Sequence, residues 1–355
     1  MVSLGLPLAT RADLTPPAPS TNNLLETRER FQPIPSSGGI VAAQDGPAAE
    51  AGARQLRAGG NAVDGAVATA FALAVTHPQA GNLGGGGFLL LWLPGPSPAR
   101  ARGCLPPMGP SPEIPIGNGM AVAINFREQA PRAAIPGLFL NADGTVDRQR
   151  ATRSALSTAV PGTVAGLVLA QRCYGRLPLA QVMAPAIALA ESGFPVSPAL
   201  SGAFSAAAPQ LQADPVSRSL FYRPALAGRA AAGPGPAGLR APRPGELLRE
   251  PEVARTLRRI AAQGDQGFYA GPVAQALIGL MAQRGGLITS ADLRAYRAQL
   301  VPPLQRRFQG HPILSMPPPA GGLTLLQLLA LLEPFPLHAS GLNSARSLHL
   351  LAEAS

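Results

Sequence analysis

Four consecutive glycines, Gly84, Gly85, Gly86 and Gly87, constrain the fold of this chain more than any other stretch. Glycine supplies no side chain for packing and costs backbone entropy, so core filling does not explain such a row. The row is expected where the backbone turns sharply and passes close to a ligand or a neighbouring strand. Upstream, Asn61 is placed to cap a helix of small residues over 62–75. Downstream, residues 88–93 are typical of a buried strand.

A phosphate-binding loop is the first alternative to test for such a glycine cluster. Phosphate-cradling loops follow a strand and open a helix, and in one version they carry Gly-Lys-Ser/Thr. Here the order is helix, glycines, strand, and no lysine follows. The order disfavours a phosphate site. A structural turn and a close approach to a ligand both stay open.

Length and composition bound the classes of protein that remain. The 355 residues are enough for about two domains or one large layered domain. All 29 basic residues are arginines, and the net charge is +10. These arginines are scattered and not interleaved with aromatics, so we expect no nucleic-acid partner. No apolar run reaches membrane-spanning length, so no membrane span is predicted. Cys104 and Cys173 are too few for a disulfide framework and lack metal-ligand spacing, which predicts ordinary thiols.

The chain divides into a leader or flexible arm over residues 1–37 and a folded domain over 38–355. The amino terminus makes a poor signal peptide, because no basic residue precedes its short apolar stretch. Periodicity predicts more helices than strands in the domain. In the first helix, Ala49, Ala53 and Leu56 are expected to form the apolar stripe. The predicted strands or extended segments are 39–43, 88–93, 120–126 and 304–316; the predicted helices include 161–175, 178–193, 252–263, 272–284, 323–333 and 344 onward; 206–245 is predicted to be a long connection.

Several long motifs, in one order from about Gly38 to the last residue, resemble the large-subunit part of the γ-glutamyltranspeptidase (glutathione hydrolase) family. The motifs are LRAGGNAVDGAVATAFALAVTHPQAGNLGGGGF at 56–88, NFREQAP at 125–131, VPGTVAGL at 160–167, YGRLPLAQVMAPAIALAESGFPVS at 174–197, GFYAGPVAQAL at 267–277, GGLITSADLRAY at 285–296, PPPAGGLTLLQLLALLE at 317–333 and LHLLAEA at 348–354.

The resemblance implies an α/β fold of the N-terminal nucleophile hydrolase type, an αββα sandwich of which this chain is the helix-rich N-terminal part. Members cut themselves before a threonine, which then attacks γ-glutamyl amides such as glutathione. The acyl-enzyme passes the group to water or to an amine. The resemblance also implies a small-subunit segment as heterodimer partner and no cofactor. Family members are often periplasmic, secreted or surface-exposed, and the sequence does not choose among these locations.

Arg127, in NFREQAP, resembles the arginine that grips the α-carboxylate of the γ-glutamyl group. A guanidinium suits this role because it can donate two parallel hydrogen bonds to a carboxylate. The structural alternative is a salt bridge to Glu128 or a plain surface arginine. In the family context, Gly84 to Gly87 are expected to let strands and loops approach near the site.

The chain departs from the family at the nucleophile. No Thr-Thr-His stretch occurs in it, and Thr289 and Thr324 do not resemble the nucleophile's surroundings. We therefore expect no catalytic residue in this chain, with the threonine C-terminal to Ser355. Two functions stay open: the large-subunit part of a γ-glutamyl transferase or hydrolase, and a truncated, non-catalytic remnant that at most packs with or binds a partner.

Other candidate sites are weaker. His349 and Glu353 share a helix face but lack a third ligand, so no metal site is predicted. No G-x-S-x-G motif occurs, which disfavours a serine hydrolase. Asp64 and Glu50 are acidic candidates for proton transfer, for which helix capping and a helix surface are the structural alternatives.

Overall fold

The computed structural model describes residues 36–105, 110–225, 238–341 and 343–355. Residues 38–355 form one compact unit. The predicted leader or arm lies outside the described residues up to position 35. No helix in the described part of the chain is long and apolar enough to cross a membrane.

Helices dominate the architecture. Their bounds are α1 Gly46–Arg57, α2 Ala62–Thr76, α3 Arg148–Arg153, α4 Thr163–Tyr174, α5 Leu179–Ser192, α6 Pro198–Ala206, α7 Ala208–Leu211, α8 Pro215–Phe221, α9 Pro251–Gln263, α10 Gln266–Tyr269, α11 Gly271–Arg284, α12 Ser290–Ala295, α13 Gly322–Leu332, α14 Leu337–Ser340 and α15 Ala345–Ala354, with a 3₁₀ turn at Ala155–Ser157.

Within the described ranges, the strands form one four-stranded sheet and three two-stranded ones, all antiparallel. Their bounds are β1 Phe88–Pro94, β2 Ile114–Ile116, β3 Gly119–Asn125, β4 Phe194–Pro195, β5 Arg223–Pro224, β6 Leu239–Arg240, β7 Leu247–Leu248, β8 Gln299–Val301, β9 Leu304–Phe308 and β10 His311–Ser315. In the larger sheet β3 pairs with β1 along its whole length. On its other edge β3 pairs first with β2 and then with β8.

Helix α2 lies at the centre of the helical layer. It packs against α1, α4 and α5, and α5 packs in turn against α9. Helix α2 carries apolar residues on almost every face: Val67, Ala68, Phe71, Ala72 and Val75 are fully buried, whereas Ala62 and Ala66 are exposed. A helix that is apolar all round belongs in a core, whereas a surface helix carries a narrower stripe. The small residues of α2 therefore allow it to pack closely against its neighbouring helices.

The structure corrects three local predictions. Residues 39–43, predicted as a strand, are not part of any strand in the described part of the chain. In α1 the buried positions are Ala48, Ala51, Gly52 and Gln55, one position away from the predicted stripe. Strand β1 is not buried on both faces, because alternate residues of it are exposed. Because every residue of this run is apolar, the sequence shows no alternation of apolar and polar residues. Periodicity therefore cannot distinguish the buried face of the strand from the exposed one.

The predicted connection over 206–245 also contains regular structure. Helices α7 and α8 and the strands β5 and β6 lie within it, while 226–237 lie outside the described residues. Asp214 caps α8 by accepting from the backbone N–H of Ser217 at 2.9 Å. A capping residue followed by Pro215 is a start signal for a helix. The high Ala, Pro and Gly content of the stretch predicts a connection instead, and the helix start signal is the more reliable of the two here.

The two cysteines are joined, so the prediction of ordinary thiols is wrong. Cys104 and Cys173 form a disulfide with their Cα atoms 5.9 Å apart. The bond ties the segment between β1 and β2 to the last turn of α4. Two cysteines 69 residues apart carry no spacing signal, since only the fold decides whether they meet.

Candidate functional site

Arg127 lies two residues beyond the end of β3, at the point where the chain leaves the sheet. Its side chain is exposed, and its backbone N–H donates to Asn125 Oδ1 at 3.1 Å. Its guanidinium Nη1 donates to the carbonyl of Pro319 at 2.9 Å. Among the described residues, no carboxylate lies within ion-pair distance of Arg127. Of the two structural alternatives, the salt bridge to Glu128 is therefore not formed, and a plain surface arginine stays open.

The glycine turn lies directly against the Arg127 segment. Gly87 and Phe126 exchange two backbone hydrogen bonds, at 3.0 and 3.2 Å, which continue the β1–β3 ladder past the end of the sheet. A Cβ atom on Gly86 would lie 2.6 Å from the Phe126 carbonyl oxygen and 2.7 Å from the Glu128 nitrogen. No side chain fits there. The close approach predicted from the glycines is confirmed at Gly86 and Gly87, and the neighbour is the segment that follows strand β3.

The same turn holds the start of α4. The carbonyl of Gly85 accepts from the backbone N–H groups of Gly162 and Thr163, at 2.7 and 3.0 Å. These donors are otherwise left without partners at a helix N-terminus. A Cβ on Gly162 would collide with the Phe126 carbonyl and the Tyr296 hydroxyl, so this glycine is also required by close approach. Strand exit, glycine turn and helix start thus form one tightly packed group around Phe126.

A third element, α12, also contacts the Arg127 segment. Tyr296, at the end of α12, donates from its hydroxyl to the Arg127 carbonyl at 2.8 Å. Asp292 Oδ1 accepts from the backbone N–H of Arg132 at 3.1 Å. Sequence reasoning matched the motifs that hold Tyr296 and Pro319 but assigned neither residue a role. Contacts across 169 and 192 residues leave no trace in local spacing.

Asp64 has a structural role. It forms a capping box with Asn61 at the start of α2, and its carboxylate is fully buried. It accepts hydrogen bonds from Gln171 Nε2 and from the backbone N–H groups of Asn61, Arg176 and Leu177, at 2.6 to 3.0 Å. Burial alone would raise the pKa of Asp64, but these hydrogen bonds outweigh it and hold the pKa below its usual value. A carboxylate so saturated cannot act as a general base.

The other candidates do not join the Arg127 group. Glu50 is exposed and pairs with Arg54 and Arg57 on α1. Thr289 caps α12, and Thr324 lies inside α13. Across the described ranges, no three His, Cys, Asp or Glu residues are grouped so as to hold a metal ion, His349 and Glu353 included.

Glu250 carries the clearest raised carboxyl pKa in the described part of the chain, and sequence reasoning missed it. It is 5% exposed, precedes α9, and its Oε1 has no hydrogen-bond partner. Burial raises the pKa of Glu250 to about 7. A perturbed carboxyl group can mark an active site. Its backbone N–H, however, bonds to Ala190 in α5, so it lies between α5 and α9 and away from the contacts around Arg127.

Glu250→Gln is expected to remove a pH dependence of stability. The folded-state pKa lies above the ordinary 4.5, so the neutral carboxyl favours folding at low pH and that contribution is lost as pH rises through about 7. The full effect is up to about 3 kcal/mol. In urea unfolding, the wild type should lose stability between about pH 5 and pH 8, and Glu250→Gln should not. Exposed Glu252, two residues along the chain, gives the control Glu252→Gln, and equal pH slopes in all three proteins would contradict the assignment.

The fold and this packed group define a helix-rich α/β protein with an arginine presented at a strand end beside a glycine turn. The family model for "Gamma-glutamyltranspeptidase" matches residues 48–99 and 116–355. The chain belongs to the gamma-glutamyltranspeptidase family.

Individual relatives agree with the family match. The chain is 36% identical over 345 residues to a glutathione hydrolase proenzyme of Escherichia coli, an alignment that covers 97% of this chain and 53% of that protein. The structure of the gamma-glutamyltranspeptidase of Helicobacter pylori is similar with a TM-score of 0.77 and 33% identity, covering 91% of this chain and 82% of that one. That of the Pseudomonas nitroreducens enzyme complexed with L-DON gives 0.73 and 36%, covering 90% and 84%. The chain spans about half the length of the curated relatives it matches.

Proposed function

We propose that this chain supplies the large-subunit part of an enzyme that hydrolyses or transfers the γ-glutamyl group of glutathione and other γ-glutamyl amides. The acceptor is water or an amine, and the intermediate is a γ-glutamyl ester on a threonine from the small-subunit segment, C-terminal to Ser355. A hydroxyl is a weak nucleophile until a base takes its proton. The α-amine of an N-terminal threonine has a pKa near 8 and serves as that base. The family match favours this function over a non-catalytic remnant.

The observation that carries the proposal is the state of Arg127. Its guanidinium is exposed, and its one hydrogen bond among the described residues uses Nη1. Four of the five N–H donors of an arginine then remain for a ligand. A planar fork with free donors suits a carboxylate, which accepts two parallel bonds. We assign Arg127 to the binding of the substrate α-carboxylate. We assign Gly84 to Gly87 to the turn that packs against the segment containing Arg127.

The small-subunit segment is proposed to complete the sheet at β1. One edge of β1 is paired with β3, and no strand of the described residues pairs with the other. Leu90 and Trp92 point to one face of this strand and are 38% and 49% exposed. A free apolar edge strand invites a further strand, and natural proteins seldom leave one uncovered. A strand added there, with a second sheet over Leu90 and Trp92, gives the αββα sandwich that the resemblance implies.

Arg127→Lys tests the proposal in the assembled protein, meaning this chain produced together with its small-subunit segment. Lysine keeps the positive charge but loses the two-pronged geometry. The lost charge-assisted contact is worth about 1.5–3 kcal/mol, which lowers kcat/KM about ten- to a hundred-fold for a γ-glutamyl anilide. Self-cleavage should survive, because it needs no bound glutamyl group, and a gel checks it.

The matched control is the donor. A 4-aminobutyryl anilide is a γ-glutamyl anilide without the α-carboxylate, and the parent should process it poorly. Arg127→Lys should leave that slow rate unchanged. If Arg127→Lys keeps kcat/KM for the γ-glutamyl donor within about two-fold, Arg127 is not the carboxylate anchor. If the precursor stops cutting itself, Arg127 is structural.

A further inference from the structure

Arg127 is held at two separate points. Its guanidinium is bound by the Pro319 carbonyl at 2.9 Å, and its own carbonyl accepts from the Tyr296 hydroxyl at 2.8 Å. The first contact directs the side chain, whereas the second fixes the backbone from which the side chain projects. An exposed arginine has large rotational freedom, and ordering it on binding costs free energy. A backbone fixed beforehand lowers that cost.

Tyr296 is itself immobilised. It is 4% exposed, and its ring stacks on that of Tyr269 with 5.7 Å between centroids and 4° between planes. Tyr269 donates from its hydroxyl to the Pro161 carbonyl at 2.8 Å. Burial, followed by the negative charge of Glu128, raises the pKa of Tyr296 to about 12. The hydroxyl therefore stays protonated, and it can donate to the Arg127 carbonyl across the neutral pH range.

Helix α12 anchors the same segment a second time. Thr289 and Asp292 form a capping box at its start, and the second oxygen of Asp292 accepts from the Arg132 backbone N–H at 3.1 Å. Burial opposes ionisation of Asp292, but the hydrogen bonds from Thr289 and Arg132 lower its pKa overall. The segment 127–132 is thus bound to α12 at both ends, by Tyr296 and by Asp292.

We propose that Tyr296 is a positioning residue for substrate recognition: through its hydrogen bond to the Arg127 carbonyl it sets the orientation in which the guanidinium receives the α-carboxylate. This inference rests on the proposed function of Arg127. Tyr296 touches no substrate atom and acts only through Arg127. Because the carboxylate contact persists from the bound substrate to the transition state, its loss raises KM and leaves kcat in place.

The test is Tyr296→Phe in the assembled protein, which removes one oxygen atom and keeps the ring stack on Tyr269. For the γ-glutamyl anilide we expect KM to rise about five-fold, the value of one hydrogen bond, with kcat within two-fold. For the 4-aminobutyryl anilide we expect no change. In an Arg127→Lys background, Tyr296→Phe should change KM by less than two-fold, because the group that it positions is already gone.

Tyr222→Phe is the matched control. Tyr222 is also 4% exposed, and its hydroxyl donates to a backbone carbonyl, that of Phe204, at 2.6 Å, between α8 and α6. This variant should leave KM and kcat unchanged for both donors. If Tyr296→Phe leaves KM unchanged, or slows both donors equally, while Arg127→Lys shows its expected loss, Tyr296 is a structural residue and the inference fails. If Arg127→Lys itself has no effect, the carboxylate anchor is wrong, and that failure is visible without Tyr296.

Discussion

Replacing both Cys104 and Cys173 by alanine is expected to lower the free energy of unfolding by about 4 kcal/mol. The disulfide closes a loop between residues 69 positions apart, and it removes the corresponding chain entropy from the unfolded state. The measurement is urea unfolding followed by circular dichroism, in the presence and absence of dithiothreitol. Reduction should destabilise the wild type by a similar amount.

The double variant is its own control for the reducing agent, because dithiothreitol has nothing to reduce in it and should not move its midpoint. Counting the free thiols of the unfolded protein tests the disulfide directly. Unfolded, unreduced wild type should expose no free thiol to an alkylating reagent. Two reactive thiols there, or a reductant effect of equal size on the double variant, would show that Cys104 and Cys173 are not joined.

The disulfide illustrates what the sequence could not supply. The helix predicted over 62–75 and the strand predicted over 120–126 are found as α2 and β3, because propensity and capping residues decide such elements locally. Whether Cys104 meets Cys173 depends instead on how the segment after β1 crosses α4. The same limit hid Tyr296 and Pro319, which reach Arg127 from elements far along the chain.

The glycine row is an exception to this limit, because a local sequence pattern there predicted a contact with residues far along the chain. Four glycines in a row predicted a close neighbour, and at Gly86 that neighbour is the backbone of Phe126 and Glu128. The identity of the neighbour, by contrast, did not follow from the glycines. Only the resemblance placed Arg127 in the same neighbourhood, and its role there stays a prediction.

The apolar strand β1 shows a second limit. Its sequence FLLLWLP predicts burial on both faces, yet Leu90 and Trp92 are exposed in this chain. Similar exposure occurs on α13 and α15, at Leu331 and Leu348. Such a surface is expected where another polypeptide packs. Under the proposed function, the small-subunit segment covers this surface, and the apolar sequence of β1 then matches its burial.

Asp64→Asn is expected to lower the free energy of unfolding by about 3–5 kcal/mol near neutral pH. The carboxylate of Asp64 is fully buried and binds the start of α2 to the loop between α4 and α5 through the N–H groups of Arg176 and Leu177 and the amide of Gln171. Asparagine has the same shape, but it is neutral and offers an N–H₂ group where an acceptor is needed. A donor facing buried donors leaves several of them unsatisfied.

The pH dependence separates this mechanism from a general packing defect. Because the pKa of Asp64 is lowered in the folded state, its contribution is present above the ordinary value of 3.8 and is lost as pH falls through the folded-state pKa. The stability difference between wild type and Asp64→Asn should therefore be full at about pH 7 and shrink at about pH 3.

Asp45→Asn is the matched control. Asp45 caps α1 by accepting from the backbone N–H of Ala48 at 3.2 Å, and asparagine caps equally well, so we expect the free energy of unfolding to change by less than about 0.5 kcal/mol. A difference for Asp64→Asn that stays constant with pH would mean that lost packing, and not the buried carboxylate, is responsible.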